Sequence, residues 1–193
     1  FYLPNKNLKE VDCHNLEEGN PGIGGTEYII QSTVHYIRKL RPVGIDIVVG
    51  VEDDTNISVS IHPIVKVCSI TDLIEQTNSD YVIFKYVNEI YQEAHKAVAT
   101  RQTYLLPWAH NFISRRNLTV LDDKVARIIC VSREQLNMYR DHKAFLKSVY
   151  INNGMPVTFL ESEKVTIPPL SERPHEVTYI GSIVDYKGFH LLA

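Results

Sequence analysis

Three stretches of this sequence carry residues whose types and spacing could do chemistry. Residues 19–27 read GNPGIGGTE, the apolar run YLLPWA at residues 104–109 is followed by His110 and Asn111, and residues 181–188 read GSIVDYKG. Glycines let a backbone approach a bound group closely, because no Cβ intervenes. Imidazole and ammonium groups can hydrogen-bond hydroxyl and phosphate oxygens. Together the stretches indicate a site for a ligand that carries hydroxyl or phosphate groups.

The glycine-rich stretch predicts a turn that opens the first helix. Amides at a helix N-terminus point at a ligand and the helix dipole favours an anion such as phosphate, so Gly24 and Gly25 are candidates for contact with one. Thr26 is the predicted N-cap, and Glu27 lies where a helix start favours negative charge. The stretch lacks the third glycine of a dinucleotide-binding fingerprint and the Gly-Lys-Ser/Thr of a P-loop. A surface turn that only feeds the helix is the alternative.

Two further candidates are His110 and Lys187. The His110 ring follows an apolar strand, where it could hydrogen-bond a substrate hydroxyl or stabilise charge near a reacting centre. Lys187 could offer its ammonium to a diphosphate, while Gly181 admits the ligand close to the backbone. A structural histidine and an ordinary surface lysine are the alternatives. The sequence contains no HExxH or comparable metal signature.

The elements that must position these residues alternate between strands and helices. Strands are predicted at residues 45–51, 61–67, 81–87, 104–109, 125–131 and 148–151, and helices at 26–41, 71–77, 88–100 and 133–139. Pro63 cannot donate to a ladder, so the strand over 61–67 is predicted at a sheet edge. The alternation predicts an α/β fold with a Rossmann-like, doubly wound, mostly parallel sheet. In such sheets ligands bind beyond the carboxyl ends of the strands.

Changes in composition divide the chain. Residues 1–167 are predicted to form one Rossmann-like domain, residues 168–176 a polar, proline-rich linker, and residues 177–193 the first strand of a second Rossmann-like domain. The sequence opens on FYLP, as if within a strand, and closes on FHLLA, as if within the first turn of a helix. We therefore expect it to be a fragment of a longer chain.

Composition and charge disfavour several classes of protein. A net charge of -3 gives no electrostatic argument for a nucleic-acid partner. No apolar run approaches the roughly 20 residues that span a bilayer. The three cysteines form no CxxC pair, and the apolar runs around Cys68 and Cys130 are typical of buried free thiols. These features predict a protein of the cytoplasm.

Five motifs, taken in order, resemble those of glycosyltransferase family 4, a group of retaining enzymes with the GT-B fold. They are PGIGGTE at residues 21–27, LLPWAHN at 105–111, ARIICVS at 126–132, VYINNGMP at 149–156 and TYIGSIVDYKGFHLLA at 178–193. The resemblance covers essentially the whole chain. Each motif is weak alone, whereas five in this order are fairly specific.

The resemblance implies two Rossmann-like domains that face each other across a cleft, with the acceptor on the first and most of the nucleotide-sugar donor on the second. By this resemblance, Gly24 and Gly25 lie near the donor diphosphate and His110 lies near the transferred sugar. Thr26, Glu27 and Asn111 are then expected on the acceptor side.

The family's G-R-L-x-x-x-K-G motif, whose arginine and lysine bind the diphosphate, maps onto residues 181–188. Gly181, Ser182 and Lys187 are therefore the remaining candidates for donor contact, although Ser182 stands where many members have arginine. Asn111 also departs from the family's histidine–aspartate pair. The family's Glu-x7-Glu motif would lie beyond Ala193, so the fragment itself is expected to be inactive.

The predicted function is transfer of a sugar, with retention, from a nucleotide-sugar donor to a glycan, lipid or small-molecule acceptor, in bacterial surface-polysaccharide or glycoconjugate synthesis. No cofactor and no metal are expected, since amides and cationic side chains can neutralise a leaving diphosphate. The basic cluster of Arg38, Lys39 and Arg41 suggests either attachment to the inner face of the membrane or a solvated helix end.

Two other classes of function remain open. The first is a noncatalytic GT-B-like subunit that binds a partner glycosyltransferase or a glycan, which the serine at position 182 favours. The second is a nicotinamide-dependent oxidoreductase, which the missing third glycine disfavours. The sequence does not specify the donor sugar, its nucleotide, the acceptor or the oligomeric state.

Overall fold

One sheet of parallel strands organises the part of the chain that the computed structural model describes, namely residues 1–6, 11–40, 43–121, 123–154 and 168–173. Its strands are β1 (Tyr2–Leu3), β2 (Val49–Val51), β3 (Ile64–Lys66), β4 (Tyr81–Lys85), β5 (Tyr104–Ala109), β6 (Ile128–Cys130) and β7 (Ser148–Tyr150). Their order across the sheet is β3-β2-β1-β4-β5-β6-β7, and every pairing is parallel. The predicted Rossmann-like parallel sheet is thus confirmed.

Helices cover both faces of the sheet. They are α1 (Gly25–Leu40), α2 (Ile70–Gln76), α3 (Asn88–Val98), α4 (Arg115–Thr119) and α5 (Arg133–Asn137). Ile30 and Val34 of α1 belong to one buried cluster, whereas Leu73 of α2 and Tyr91 of α3 belong to another. Alternate residues of each strand point to opposite faces, so the sheet separates the two clusters and is doubly wound.

The structure confirms several local predictions and corrects others. Strand β5 has the predicted bounds, and β3 is an edge strand, as Pro63 indicated. Strands β2 and β6 are shorter than predicted. Helix α1 begins at Gly25, and the Gly24 carbonyl accepts from the Tyr28 amide at 3.0 Å. Thr26 is therefore a residue of the first turn and not the predicted N-cap, because the two glycines before it let the helix begin earlier.

The chain divides into two compact units, Phe1–Glu161 and Ser162–Ala193. The sheet lies in the first unit. In the second, the described residues are 168–173, which form a short 3₁₀ turn at Leu170–Glu172. The predicted strand and lysine loop of the second domain, residues 177–193, lie outside the described residues.

The cysteines are free thiols, as expected, but not all of them are buried. Cys13 and Cys130 are buried, and burial raises the pKa of Cys130 to about 11. Cys68 is exposed, which corrects the prediction from its apolar surroundings. It lies in the turn between β3 and α2, where the chain leaves the sheet.

Candidate functional site

The site lies at the point where the winding of the sheet reverses. Strand β1 is flanked by β2 on one side and β4 on the other, so the chain leaves β1 in one direction and returns from β3 to the opposite side. Loops diverge at such a point and leave a crevice beyond the carboxyl ends of the strands. Helix α1 begins beside this crevice, and β4 and β5 end at it.

An ion pair joins the start of α1 to the end of β4. The Lys85 ammonium lies 3.1 Å from Oε1 of Glu27, although 58 residues separate the two in sequence. The Lys85 side chain is 27% exposed and the Glu27 side chain 17%, so both charges are largely withdrawn from water. Coulombic attraction in such surroundings is stronger than at an open surface.

His110 lies just beyond β5, half-buried beside this pair. Its ring packs against the ring of Trp108, with centroids 5.1 Å apart. Trp108 pairs in register with Lys85, so both side chains leave the sheet on its α1 face. Nε2 of His110 is buried and has no hydrogen-bond partner within the described ranges.

Burial, and after it the positive charge of Lys85, lowers the pKa of His110 below its ordinary value, while the Glu27 carboxylate acts in the opposite direction. Both charges are therefore close enough to act on the ring. Because the neutral ring is favoured, one ring nitrogen keeps a lone pair at neutral pH. His110 can then accept a hydrogen bond or a proton.

The glycine-rich turn is only partly available to a ligand. The amides of Gly22 and Ile23 both donate to Oδ1 of Asn20, each at 2.9 Å, so the turn satisfies them internally. The Glu27 carboxylate folds back over Gly24 so closely that a Cβ added there would overlap its Oε2. The negative charge at the start of α1 is thus the protein's own carboxylate, held there by Lys85.

This crowding predicts opposite effects for alanine at two adjacent positions. Gly25→Ala meets open space and should raise the free energy of unfolding by roughly 0.4 to 1 kcal/mol, because alanine restricts the unfolded chain. Gly24→Ala should instead lower the free energy of unfolding by up to about 1 kcal/mol, because the new methyl group displaces Glu27 from Lys85. Urea unfolding of both variants measures the difference. Equal gains in the two variants would show that the Glu27 carboxylate does not lie over Gly24.

Buried hydrogen bonds hold the loop that carries His110. Gln135 of α5 is buried, and its Nε2 donates to the Asn111 carbonyl at 2.8 Å. The Tyr139 hydroxyl accepts from the Ile113 amide at 3.0 Å. The backbone on the carboxyl side of His110 is therefore fixed to α5 and the turn that follows it.

The structure brings together five of the residues proposed from sequence, at the start of α1 and just beyond the end of β5: Gly24, Gly25, Thr26, Glu27 and His110. Asn111 follows them in the chain but is exposed. Gly181, Ser182 and Lys187 lie outside the described residues.

Sequence reasoning missed Lys85. Its signal was a single charged residue at the carboxyl end of an otherwise apolar strand, Tyr81–Lys85, where the crevice begins. Asn20 was missed as well, although an asparagine two and three residues before the amides that it binds is a common turn-forming arrangement.

The basic residues at the end of α1 are engaged with the protein. Nη2 of Arg38 donates to the Ile47 carbonyl at 2.6 Å, and the Lys39 ammonium lies 2.6 Å from Oε1 of Glu17. Arg41 lies outside the described residues.

Among the described helices, none is long and apolar enough to cross a membrane. Within the same residues, no three His, Cys, Asp or Glu side chains gather as a metal site.

Comparisons of the chain with protein-family models, with curated proteins and with solved structures found no match. The resemblance to glycosyltransferase family 4 therefore depends on the five motifs alone. The independent observations from which a function can be argued are the fold and the geometry at the switch point, which is the place beside β1 where the winding of the sheet reverses.

Proposed function

We propose that this chain is part of a glycosyltransferase that moves a sugar, with retention, from a nucleotide-sugar donor to a glycan, lipid or small-molecule acceptor. One observation carries the proposal: the paired carboxylate and ammonium of Glu27 and Lys85 lie near the imidazole of His110, where the sheet reverses its winding. That is where α/β sheets bind ligands, and these side chains can hydrogen-bond the hydroxyl groups of a sugar.

Each group has a role in this proposal. His110 hydrogen-bonds the transferred sugar through the exposed part of its half-buried ring, while its buried Nε2 has no hydrogen-bond partner among the described residues. Glu27, on the acceptor side, accepts a hydrogen bond from an acceptor hydroxyl. By the resemblance, the leaving diphosphate lies near Gly24 and Gly25 at the start of α1, and fixed electrostatic groups such as helix-start amides supply much of the rate enhancement in many enzymes.

The proposal extends to the setting of the reaction. The enzyme works in the cytoplasm without a metal or a cofactor, in bacterial surface-polysaccharide or glycoconjugate synthesis, with a glycan or lipid acceptor. Attachment to the inner face of the membrane would use the apolar side chains near the end of α1, since Leu40, Val43 and Ile45 are exposed. Arg38 and Lys39 already have partners within the protein.

A noncatalytic subunit that binds a glycan or a partner glycosyltransferase is the second candidate. The Glu27 carboxylate favours it, because this charge stands at the helix start where a donor diphosphate is expected. Such a protein would bind its glycan without consuming a nucleotide sugar. The serine at position 182, where many members of the family have arginine, favours this candidate as well.

The test is a donor assay on the complete gene product that contains this chain. A panel of UDP-, GDP- and dTDP-sugars is supplied, and release of the nucleoside diphosphate and transfer to acceptor glycans are measured. We expect one nucleotide class to be consumed. Neither turnover nor binding across the panel would overturn the proposed enzyme, and glycan binding without donor turnover would favour the noncatalytic subunit.

A further inference from the structure

Several described lysines form ion pairs, and the pair of Lys85 differs from the others in its location in the fold. Its pair with Glu27 crosses the switch point, from the end of β4 to the first turn of α1. The pair of Lys66 with Asp54, by comparison, lies on the edge strand β3, and both of its side chains are at least half exposed. An exposed pair contributes little to stability, whereas breaking a partly buried pair leaves a charge without its partner.

We propose that Lys85 is a positioning residue of the site: it holds the Glu27 carboxylate over Gly24 and keeps its positive charge beside the ring of His110. This inference rests on the proposed function for its catalytic consequence. Lys85 itself need not touch a substrate. Its role is to hold the Glu27 carboxylate in place and to set the protonation of His110, the two groups that do.

Lys85 restricts the position of the Glu27 side chain. A glutamate in the first turn of a helix has freely rotating side-chain bonds, and holding it in one place costs conformational entropy. The Lys85 ammonium meets Oε1 at 3.1 Å, while Oε2 of the same carboxylate lies against Gly24. Both oxygens are thereby placed, and the absence of a Cβ at position 24 provides the space. Catalytic groups gain most when their geometry is fixed before the ligand arrives.

Lys85 also acts on the protonation of His110. The charged groups that act on its ring are Lys85 from β4 and Glu27 from α1. Burial favours the neutral ring, Lys85 adds to that effect, and Glu27 opposes it. Without Lys85, the remaining carboxylate would attract a proton to the ring, so the pKa of His110 should rise. Lys85 therefore preserves the lone pair with which His110 meets a hydroxyl group.

The alternative is that the pair of Lys85 with Glu27 has a purely structural role and only connects α1 to β4. It predicts that a variant without the pair is less stable and that activity per folded molecule is unchanged. The positioning account predicts two effects that a purely structural role does not: a change in the protonation of His110 and a shift of the pH profile. The test must therefore measure both in folded protein.

The variants are Lys85→Met, which keeps the length of the side chain without its charge, and Lys85→Arg, which restores the charge. Lys66→Met is the matched control, since its lysine pairs with Asp54 outside the switch point. Thermal unfolding and circular dichroism establish that each variant is folded. Glu27→Gln serves as a second variant in case Lys85→Met fails to fold. The pKa of His110 is measured by NMR titration of its ring, and transfer is measured as kcat/KM against pH in the complete gene product.

We expect Lys85→Met to raise the pKa of His110, to move the acidic limb of the pH profile upward and to lower kcat/KM by about 10- to 100-fold. Lys85→Arg should recover most of the loss, and Lys66→Met should behave as wild type. Glu27→Gln should lower the pKa of His110 further. If folded Lys85→Met keeps both the pKa and the pH profile of the wild type, the positioning role is overturned while the proposed function stands.

A wild-type protein that neither binds nor consumes any nucleotide sugar would overturn the proposed function instead. The NMR titration would then decide the remaining part of the inference. A raised pKa of His110 in Lys85→Met supports the electrostatic role of Lys85 at this site. An unchanged pKa overturns it.

Discussion

Replacing His110 with alanine should lower the rate of sugar transfer by about 100-fold, which is the loss typical of removing one fixed hydrogen-bonding group from a reacting centre. The ring is half-buried at the end of β5, its Nε2 has no partner among the described residues, and its pKa is lowered, so the neutral ring is ready to meet a sugar hydroxyl. Steady-state kinetics with the complete gene product measure the effect as kcat at saturating donor.

His62→Ala is the matched control for this variant. His62 is exposed and precedes β3, so it lies at the amino ends of the strands, away from the crevice. Its replacement should leave kcat unchanged. If His110→Ala retained full activity, His110 would be a packing partner of Trp108 and the assignment of the sugar contact would be wrong.

Replacing Phe84 with alanine should lower the free energy of unfolding by about 3 to 5 kcal/mol, the loss expected when a large aromatic side chain is removed from a packed core. Phe84 lies in β4 at the centre of the sheet and is fully buried in the cluster that α2 and α3 cover. Urea unfolding measures the loss as a lower transition midpoint.

Tyr81→Ala is the control within the same strand. Tyr81 begins β4, is 56% exposed and packs against Tyr104 on the neighbouring strand. Replacing Tyr81 should lower the free energy of unfolding by about 0.5 to 1 kcal/mol, as expected for the loss of a cross-strand pair. Equal losses from the two variants would contradict the burial of Phe84 and the exposure of Tyr81 in β4.

Much of the fold could be predicted because its signals are local. Buried parallel strands require continuous apolar runs, and the run at residues 104–109 marked β5 without error. Pro63 identified an edge strand, because a proline cannot donate to a ladder. Strands β2 and β6 were predicted too long, because a buried apolar residue need not belong to a continuous strand: Val125, outside β6, is buried and forms an isolated β-bridge with Leu105.

The site could be predicted only in part, because its contacts are not local. The glycine turn and His110 carry signals in their own neighbourhoods, whereas the pair of Lys85 with Glu27 exists only after β4 has paired beside β1. Cys68 illustrates the same limit: it lies within a mostly apolar run, yet the turn in which it lies exposes it. Burial in a turn depends on how the chain leaves the sheet.

The most direct test of the account is an NMR titration of the site with nucleotide sugars. Histidine labelled in the ring and glycine labelled at the amide are incorporated into the complete gene product, and UDP-, GDP- and dTDP-sugars are added in turn, with NADH for comparison. The account predicts that one class of nucleotide sugar shifts the resonances of His110, Gly24 and Gly25 in a saturable way, while His62 does not move. It would be contradicted if no nucleotide sugar moved those three resonances, or if NADH alone did.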